Sequence, residues 1–129
     1  MAELMIAYTD KDGRERTYDL AEGGSSVGLR RKKISEIDLT PLAGKTGIVS
    51  IDLGANYLDD VDLAPLADCP DLQSLNLFQN PLGSIDIGPL RNCKKLQELN
   101  LGSTELTTIS LEPLSGTDLR RIRLFNNQI

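Results

Sequence analysis

The sequence predicts an α/β solenoid, in which short parallel strands line one face of a coil and short helical turns line the opposite face. Two observations lead to this fold class. Leucine and isoleucine recur at the same places in units of about 24 residues, and a proline recurs at one position of every complete unit. A third observation concerns residues 1–23, which lack this period and contain two strand-like segments on either side of a short loop with glycine, as a β-hairpin does.

The composition narrows the class of partner. The chain has 129 residues, enough for one domain, with 14 basic and 19 acidic residues and a net charge of −5. Nucleic acids and anionic membranes select basic surfaces, so neither is expected as a partner. The N-terminal sequence does not have the pattern of a signal peptide, and no apolar run approaches the roughly 18 residues of a membrane helix. We therefore expect a soluble, cytoplasmic protein.

The periodic region, residues 24–129, contains five units, of which the first is degenerate and the last incomplete. Equal steps lead from Ile48 to Leu72 and from Leu72 to Leu96, and the next step, to Leu119, is shorter by a single residue. In each unit apolar residues alternate with polar ones over a few positions, as a half-buried strand requires. Each unit then adds one strand, and neighbouring units bury each other's apolar side chains. The units are 24–47, 48–71, 72–95, 96–118 and 119–129.

The shared pattern, L-x-x-L-x-L-x-x-N-x-L followed by x-x-I-D-L-x-P-L, resembles the leucine-rich repeat family. Asn56, Asn80 and Asn127 occupy the asparagine position of that family, whereas Lys32 and Thr104 depart from it. The resemblance implies a right-handed superhelix with a parallel β-sheet on its concave face and short helical or 3₁₀ turns on its convex face. It also implies that the asparagine amides bond to backbone groups inside the coil. Finally, it implies that a protein partner binds the concave face.

The second half of each unit is predicted to contain one short helical turn, because proline suits the first position of such a turn. Asp38, Asp62 and Asp86 precede these turns at one repeat position, with Ser110 in the fourth unit. A row of metal ligands is conceivable there, but capping of backbone N–H groups is favoured. The prolines are Pro41, Pro65, Pro89 and Pro113.

Residues 1–23 are predicted to form an N-terminal β-hairpin cap over the first coil. The loop Lys11–Gly13 places glycine at the left-handed position that three-residue hairpin loops need. Tyr8 and Tyr18 are expected to pack in this cap, and residues 22–26 are expected to form a short joint. The predicted register pairs Leu4 with Leu20, Ile6 with Tyr18, and Asp10 with Arg14.

The sequence offers little material for catalysis. It contains no histidine, which removes the commonest general base. Residues 10–13, Asp-Lys-Asp-Gly, lack the later glutamate of a calcium loop. Cys69 and Cys93 occupy equivalent places in adjacent units and are expected to be buried and reduced, since the partner ligands of a zinc site are missing. We therefore predict no enzymatic activity, no catalytic or metal-binding residues, and no cofactor.

Polar residues that alternate with the strand leucines should face the concave surface in three columns. In the third column Phe78 and Phe125 flank Gly102, so the two rings are expected about 10 Å apart, at twice the inter-strand spacing, with a slot of bare backbone between them. Such aromatic residues beside polar donors are common anchors for a protein partner. The alternative is that each ring leans over its neighbours and covers backbone. The columns are Ser26, Ser50, Ser74, Glu98 and Arg121; Gly28, Asp52, Asn76, Asn100 and Arg123; and Arg30, Gly54, Phe78, Gly102 and Phe125. The predicted protein-binding residues are Asn76, Phe78, Asn100, Arg121, Arg123 and Phe125.

Net charge alternates along the units, from +3 to −6, +2, −4 and +3. This pattern predicts favourable contacts between neighbouring units. The last unit adds Arg120, Arg121 and Arg123 and ends at Ile129 without a polar capping element. These residues suggest an acidic partner, a missing repeat, or self-association with unit 48–71. A scaffold or assembly domain that forms a homo-oligomer through its C-terminal edge, or the N-terminal recognition part of a larger protein, is therefore the alternative function.

Overall fold

The computed structural model describes residues 5–129, which form two β-sheets and a row of short turns. One sheet is antiparallel with strand order β2-β1-β4, and the other is parallel with order β3-β5-β6-β7-β8. A single α-helical turn, α1 (Leu20–Gly23), joins the hairpin to the parallel sheet. The strands are β1 (Met5–Asp10), β2 (Glu15–Asp19), β3 (Ser26–Gly28), β4 (Ile34–Ile37), β5 (Ser50–Asp52), β6 (Ser74–Asn76), β7 (Glu98–Asn100) and β8 (Arg121–Arg123).

The parallel sheet stacks the units in the register that the sequence period predicts. Ser50 pairs with Ser74, and Ser74 pairs with Glu98, so residues one period apart become neighbours. The backbone ladder continues beyond the strands, because the N–H of Ala55 donates to the carbonyl of Phe78 at 2.7 Å. Residues of the first two columns are therefore paired between neighbouring strands. Residues of the third column lie just beyond the strand ends, where the backbone ladder continues.

The core lies between the parallel sheet and the row of turns. Alternate strand residues point inward, so that Ile51 and Leu53 are buried while Asp52 between them faces solvent. Leucines from the second half of each unit meet them, and full burial of one such side chain contributes roughly 1.5–3 kcal/mol. No unit encloses these residues alone, which is why stability comes from the contact between units. Fully buried leucines of this core include Leu42, Leu66, Leu72, Leu75, Leu77 and Leu90.

The asparagine position has the structural role that the sequence predicted. Asn56 is buried, and its Nδ2 donates to the carbonyls of Leu29 at 3.0 Å and Leu53 at 2.8 Å. Its Oδ1 accepts from the N–H of Lys32 at 2.9 Å and of Ile34 at 3.1 Å. These bonds satisfy backbone groups that the turn leaves without a strand partner.

The other units repeat this arrangement with one variation. Asn80 donates to the carbonyls of Leu53 and Leu77, and Asn127 donates to that of Leu101 at 2.8 Å. Thr104 has a shorter side chain, and its hydroxyl donates to the carbonyl of Leu101 at 2.6 Å. The threonine therefore takes over one of the bonds that an asparagine amide makes in the neighbouring units.

The predicted turns are 3₁₀ turns, each with proline in one of its first two positions. The capping interpretation of the aspartates is confirmed, since Asp38, Asp62 and Asp86 accept from the N–H two residues later at 3.0, 2.9 and 2.8 Å. The bonds to Thr40 lower the pKa of Asp38. The turns are Thr40–Leu42, Ala64–Asp68, Gly88–Asn92 and Glu112–Leu114.

The two cysteines are buried and reduced, as expected. The Sγ atoms of Cys69 and Cys93 lie 3.1 and 3.2 Å from the carbonyls of Leu42 and Leu66, which accept their S–H groups. Burial raises the pKa of each thiol to about 11, so both are protonated near neutral pH. They fill the spaces behind two successive 3₁₀ turns, where burial disfavours the reactive thiolate form.

The hairpin has the predicted register within the residues that the structure describes. Ile6 pairs with Tyr18, and the N–H of Asp10 donates to the carbonyl of Arg14 at 2.9 Å. Gly13 has a φ of 83°, the left-handed conformation that the loop requires. The predicted partner of Leu20, Leu4, lies outside the described residues.

Two features of the N-terminal region were not expected. Strand β4, which belongs to the first repeat unit, pairs with β1, so the hairpin and the first unit share one sheet. The helical turn was not expected either: α1 covers the first two residues of the predicted short joint, 22–26, and β3 begins at its last residue, Ser26. The hydroxyl of Tyr18 connects the two parts, since it donates to the carbonyl of Ser26 and accepts from the N–H of Gly28, both at 3.2 Å. The division into a cap and repeats stays a prediction.

Candidate protein-binding site

The solvent-facing side of the parallel sheet brings most of the predicted binding residues together. We call the exposed surface of β6, β7 and β8, with Phe78, Gly102 and Phe125 beyond their ends, the sheet face. Strand pairing places Asn76 beside Asn100 and Asn100 beside Arg123. A shallow depression of about 90 Å³ lies between these strands. It is lined by Ser74, Asn76, Glu98, Asn100, Arg121 and Arg123, with backbone from Leu75 and Leu99.

The two phenylalanines form one aromatic pair, which corrects the expected slot. Their ring centroids are 5.8 Å apart and the ring planes are inclined by 40°. The ring of Phe125 lies over Gly102, where an added Cβ would come within 2.5 Å of the Phe125 Cζ. The separation of about 10 Å was therefore wrong, because it assumed that each ring stands over its own strand. The alternative, that a ring leans over its neighbours and covers backbone, describes Phe125.

The geometry of this pair explains the glycine between its members. A centroid distance below about 7 Å with inclined planes is a favourable aromatic arrangement, worth about 0.5–1.5 kcal/mol beyond burial. Only glycine leaves room for the ring of Phe125 to reach Phe78. Phe78 becomes half-buried, whereas Phe125 keeps 51% of its surface exposed. The pair thus presents one fixed apolar surface to solvent.

The asparagines of the sheet face have a structural role in addition to their exposed position. The Oδ1 atom of Asn76 accepts from the N–H of Phe78 at 2.9 Å, and that of Asn100 accepts from the N–H of Gly102 at 3.0 Å. Each side chain therefore stabilises the turn that follows its strand, and this turn positions the third-column residue of that unit. Within residues 5–129, neither Nδ2 has a protein acceptor. What these residues offer a partner is the two N–H donors of each amide.

The arginines of the last unit differ from one another. Arg121 pairs with Glu98 of the preceding unit at 3.3 Å, with both side chains more than half exposed. This ion pair joins the last unit to the unit before it. Arg123 is exposed and forms no ion pair with any residue from 5 to 129. Its guanidinium is therefore the free cation beside the depression.

Ion pairs also support the predicted contact between units of opposite charge. Of the five pairs among the described residues, four join consecutive units. Asp71 shows this most clearly, because it accepts from the N–H of Gly47 at 2.8 Å and pairs with Lys95 at 3.1 Å. These bonds lower the pKa of Asp71, the Gly47 bond most strongly. The four pairs are Arg30–Asp52, Asp71–Lys95, Arg91–Glu112 and Glu98–Arg121.

The sheet face presents three kinds of chemical group to solvent. It offers an apolar surface, amide donors and one free cation. In the described part of the chain, no three His, Cys, Asp or Glu side chains are grouped so that they could hold a metal ion. Nor does any helix of residues 5–129 combine the length and apolarity needed to cross a membrane.

A larger groove lies elsewhere and was missed from the sequence. It measures about 600 Å³ and follows the outer side of the antiparallel sheet. It is open and lined largely by short or acidic side chains, among them Ala7, Thr9, Glu15, Thr17 and Glu36. It could not be anticipated, since it requires β4 to pair with β1.

The comparison with protein-family models agrees with the repeat architecture. Residues 70–116 match the family model described as "Leucine Rich repeats (2 copies)". Among solved structures, the chain is similar to internalin C2 of Listeria monocytogenes str. 4b F2365, with 18% sequence identity and a TM-score of 0.48. The alignment covers 86% of this chain and 57% of that one, so this chain spans little more than half of its length. No curated protein matches the sequence.

Proposed function

We propose that this leucine-rich repeat protein is a non-enzymatic interaction module, which binds a protein partner on the sheet face. Leucine-rich repeat domains generally mediate interactions between proteins. The observation that carries the choice of surface is the aromatic pair, in which Phe125 is 51% exposed yet held against Phe78. An exposed ring that is already fixed loses little conformational freedom when a partner covers it.

The residues around the pair fit the usual composition of a binding centre. Aromatic residues and arginine are enriched where truncation weakens binding most, and polar groups commonly surround them. Here the amides of Asn76 and Asn100 and the guanidinium of Arg123 lie beside the pair. We expect Phe125 and Arg123 to contribute most, because both are exposed before binding. Arg121 should contribute less, since Glu98 already partly neutralises it.

Three further features belong to the proposal. We expect the coil to be a right-handed superhelix whose concave side is the sheet face, and the N-terminal hairpin to cap its first unit. We also propose a cytoplasmic location. Support for this location comes from Cys69 and Cys93, whose thiols are free and bonded to backbone carbonyls, as a reducing compartment allows.

Capture from a cell lysate tests the proposed surface. The immobilised protein is compared with a Phe78→Ala, Phe125→Ala double variant and with a Leu111→Ala control. Leu111 is also an exposed apolar residue, at 42%, but it precedes a 3₁₀ turn and lies away from the sheet face. We expect proteins retained by the wild type and by the control to be lost from the double variant, measured by quantitative mass spectrometry.

Circular dichroism of all three proteins checks that the fold is kept. Equal retention by the double variant and the wild type would contradict the choice of surface. Retention lost only from the control would place the binding surface on the side of the turns. Self-association through residues 119–129 stays a prediction, which light scattering over a range of protein concentrations tests.

A further inference from the structure

A second surface, at the junction of the hairpin and the first repeat unit, is strongly basic. Residues 30–33 are four consecutive basic residues. The equivalent residues of the other units, 54–57, 78–81, 102–105 and 125–128, contain no lysine or arginine. Because the coil forms in those units without basic side chains, its folding does not explain the charge of residues 30–33.

The backbone of residues 30–33 has, at its second residue, the same left-handed conformation as the equivalent segments of other units. The difference between the units therefore lies in the side chains. Arg31 has a φ of 57°, and its equivalents Ala55, Gln79 and Ser103 have φ values of 57°, 57° and 54°. The left-handed conformation is therefore common to the units, whereas the arginine is particular to the first. The Asn56 amide also fixes this backbone, through the N–H of Lys32. The basic side chains thus extend from a rigid support.

The hairpin adds further basic residues to the same surface. The N–H of Lys11 donates to the carbonyl of Lys33 at 2.7 Å, which holds the hairpin loop against the run. A cavity of about 250 Å³ lies between the two segments, and it adjoins a second of about 400 Å³ that shares Arg31 and Lys33. We call these two cavities the basic groove. Its basic residues are Lys11, Arg14, Arg16, Arg31, Lys32 and Lys33.

Two carboxylates, those of Asp10 and Asp12, line this groove beside its six basic residues. Asp10 pairs with Arg16 at 3.1 Å, and its other oxygen accepts from the N–H groups of Asp12 and Arg14, so its bonding capacity is taken up internally. Within the described part of the chain, Arg31 and the lysines of the groove form no ion pair. Half of the 14 lysines and arginines lie between residues 11 and 33, although the whole chain carries a net charge of −5. Like charges kept this close repel each other unless a counter-charge is present.

An exposed aromatic ring closes one end of the groove. Tyr57 is 48% exposed, and its N–H donates to the carbonyl of Ile34 at 2.8 Å. The Nζ of Lys11 lies 5.0 Å from its ring centroid, within range of a cation–π contact. The groove therefore combines exposed cations with an aromatic wall and with the side-chain amide of Gln79.

The surroundings of the groove favour a short ligand. Glu15 and Glu36 lie on the antiparallel sheet beside it, and Asp59 and Asp60 follow closely after Tyr57 in the chain. A duplex nucleic acid carries about one negative charge per 1.7 Å along its axis and extends well beyond such a groove, where these carboxylates would repel it. A peptide with a few carboxylates does not extend so far.

We infer that the basic groove binds a short acidic peptide segment, rich in aspartate and glutamate, of a partner protein. Arg14, Arg31 and Lys33 pair with its carboxylates, and Tyr57 packs against its backbone or an apolar side chain. This site is separate from the sheet face, so one partner could contact both, or two partners could bind at once.

Fluorescence anisotropy with a labelled peptide of eight glutamates tests this inference. The variant Arg31→Gln, Lys33→Gln removes two cations from the groove, and glutamine is already present at position 79, the equivalent of Arg31. The matched control, Lys94→Gln, Arg120→Gln, removes the same net charge from exposed residues elsewhere. A second control, Arg31→Lys, Lys33→Arg, keeps the charge of the groove.

We expect the groove variant to weaken peptide binding at least tenfold and both controls to change it less than threefold. Binding should also weaken as salt rises from about 50 to 200 mM, because exposed ion pairs are screened. Equal weakening in the groove variant and the remote control would overturn the proposal, as would a wild type that does not bind the peptide. Tighter binding of a short DNA duplex, or of vesicles of phosphatidylcholine and phosphatidylserine in a four-to-one ratio, would replace the peptide with that ligand and also overturn it.

Discussion

The sheet face and the basic groove are assembled in different ways. On the sheet face, Asn76 and Asn100 are one repeat period apart, and parallel stacking turns that spacing into direct contact between strands. In the groove, Lys11 and Lys33 come from a hairpin loop and a repeat unit that share no period. The first surface can therefore be read from the repeat, whereas the second exists only because β1 pairs with β4. A repeat protein can thus have a periodic surface and a non-periodic one on the same coil.

Both surfaces depend on the buried asparagines, and the largest expected effect comes from removing one of them. Asn56→Ala deletes the amide that bonds to Leu29, Leu53 and the N–H of Lys32, leaving buried backbone groups without partners. We expect the free energy of unfolding to fall by about 3 kcal/mol, measured by urea denaturation. The exposed Asn92→Ala serves as control and should cost less than about 0.5 kcal/mol. Equal losses in the two variants would contradict the structural role of Asn56.

Gly102→Ala should alter the sheet face and leave the basic groove unchanged. The added Cβ would come within 2.5 Å of the Phe125 Cζ, so the ring must leave its place over the backbone. We expect a stability loss of about 1–2 kcal/mol and the disappearance of nuclear Overhauser contacts between the Phe78 and Phe125 rings. Gly28→Ala is the matched control, because an added Cβ there meets nothing within 4 Å. Ring contacts that survive in Gly102→Ala would show that the pair does not need the glycine.

Acidification should lower the stability of the fold in part by protonating Asp10, which lies in the basic groove. The bond from the N–H of Arg14 contributes most to lowering the pKa of Asp10, and the bond from Arg16 contributes further. Because the folded-state pKa lies below the unfolded one, this stabilisation is present above about pH 4 and is lost as the pH falls through the folded pKa. Urea denaturation between pH 6 and pH 2.5 should therefore show a smaller loss of stability in Asp10→Asn than in the wild type. Identical pH dependences would contradict this role.

The ion pairs between units should have the smallest effect. Arg91 and Glu112 are 3.0 Å apart, but their side chains are 53% and 67% exposed. Solvent screens such pairs, so a double-mutant cycle with alanine at both positions should give a coupling energy of about 0.2–0.5 kcal/mol. A coupling above about 1 kcal/mol would mean that alternating charge contributes substantially to the stability of the stack.

The parts of the fold that follow from local or periodic patterns could be predicted from the sequence. The stacking of Ser50 on Ser74, the backbone bonds of Asn80 and the cap of Asp62 all repeat from unit to unit, and repetition makes them recognisable. The pairing of Ile6 with Tyr18 could be predicted as well, because a three-residue loop fixes the register of its hairpin.

The remaining features of the fold and the site depend on side-chain rotamers and on strand pairing outside the repeat. The spacing of residues in the sequence determines neither. Sequence period locates the backbone of residue 125 but not its rotamer, and the rotamer places the Phe125 ring over Gly102. Strand β4 follows the strand of the first unit by only a few residues, and nothing in its sequence distinguishes a strand of the hairpin sheet from an ordinary turn of the coil. The basic groove was missed for the same reason.

Site-specific photo-crosslinking tests the central claim, that a protein partner binds the sheet face, most directly. A benzophenone side chain is placed at residue 125 in one protein and at residue 111 in another, and both are irradiated in lysate. We predict discrete protein adducts from residue 125 and none from residue 111, which lies away from the sheet face. Adducts from residue 111 that are absent from residue 125 would contradict the claim.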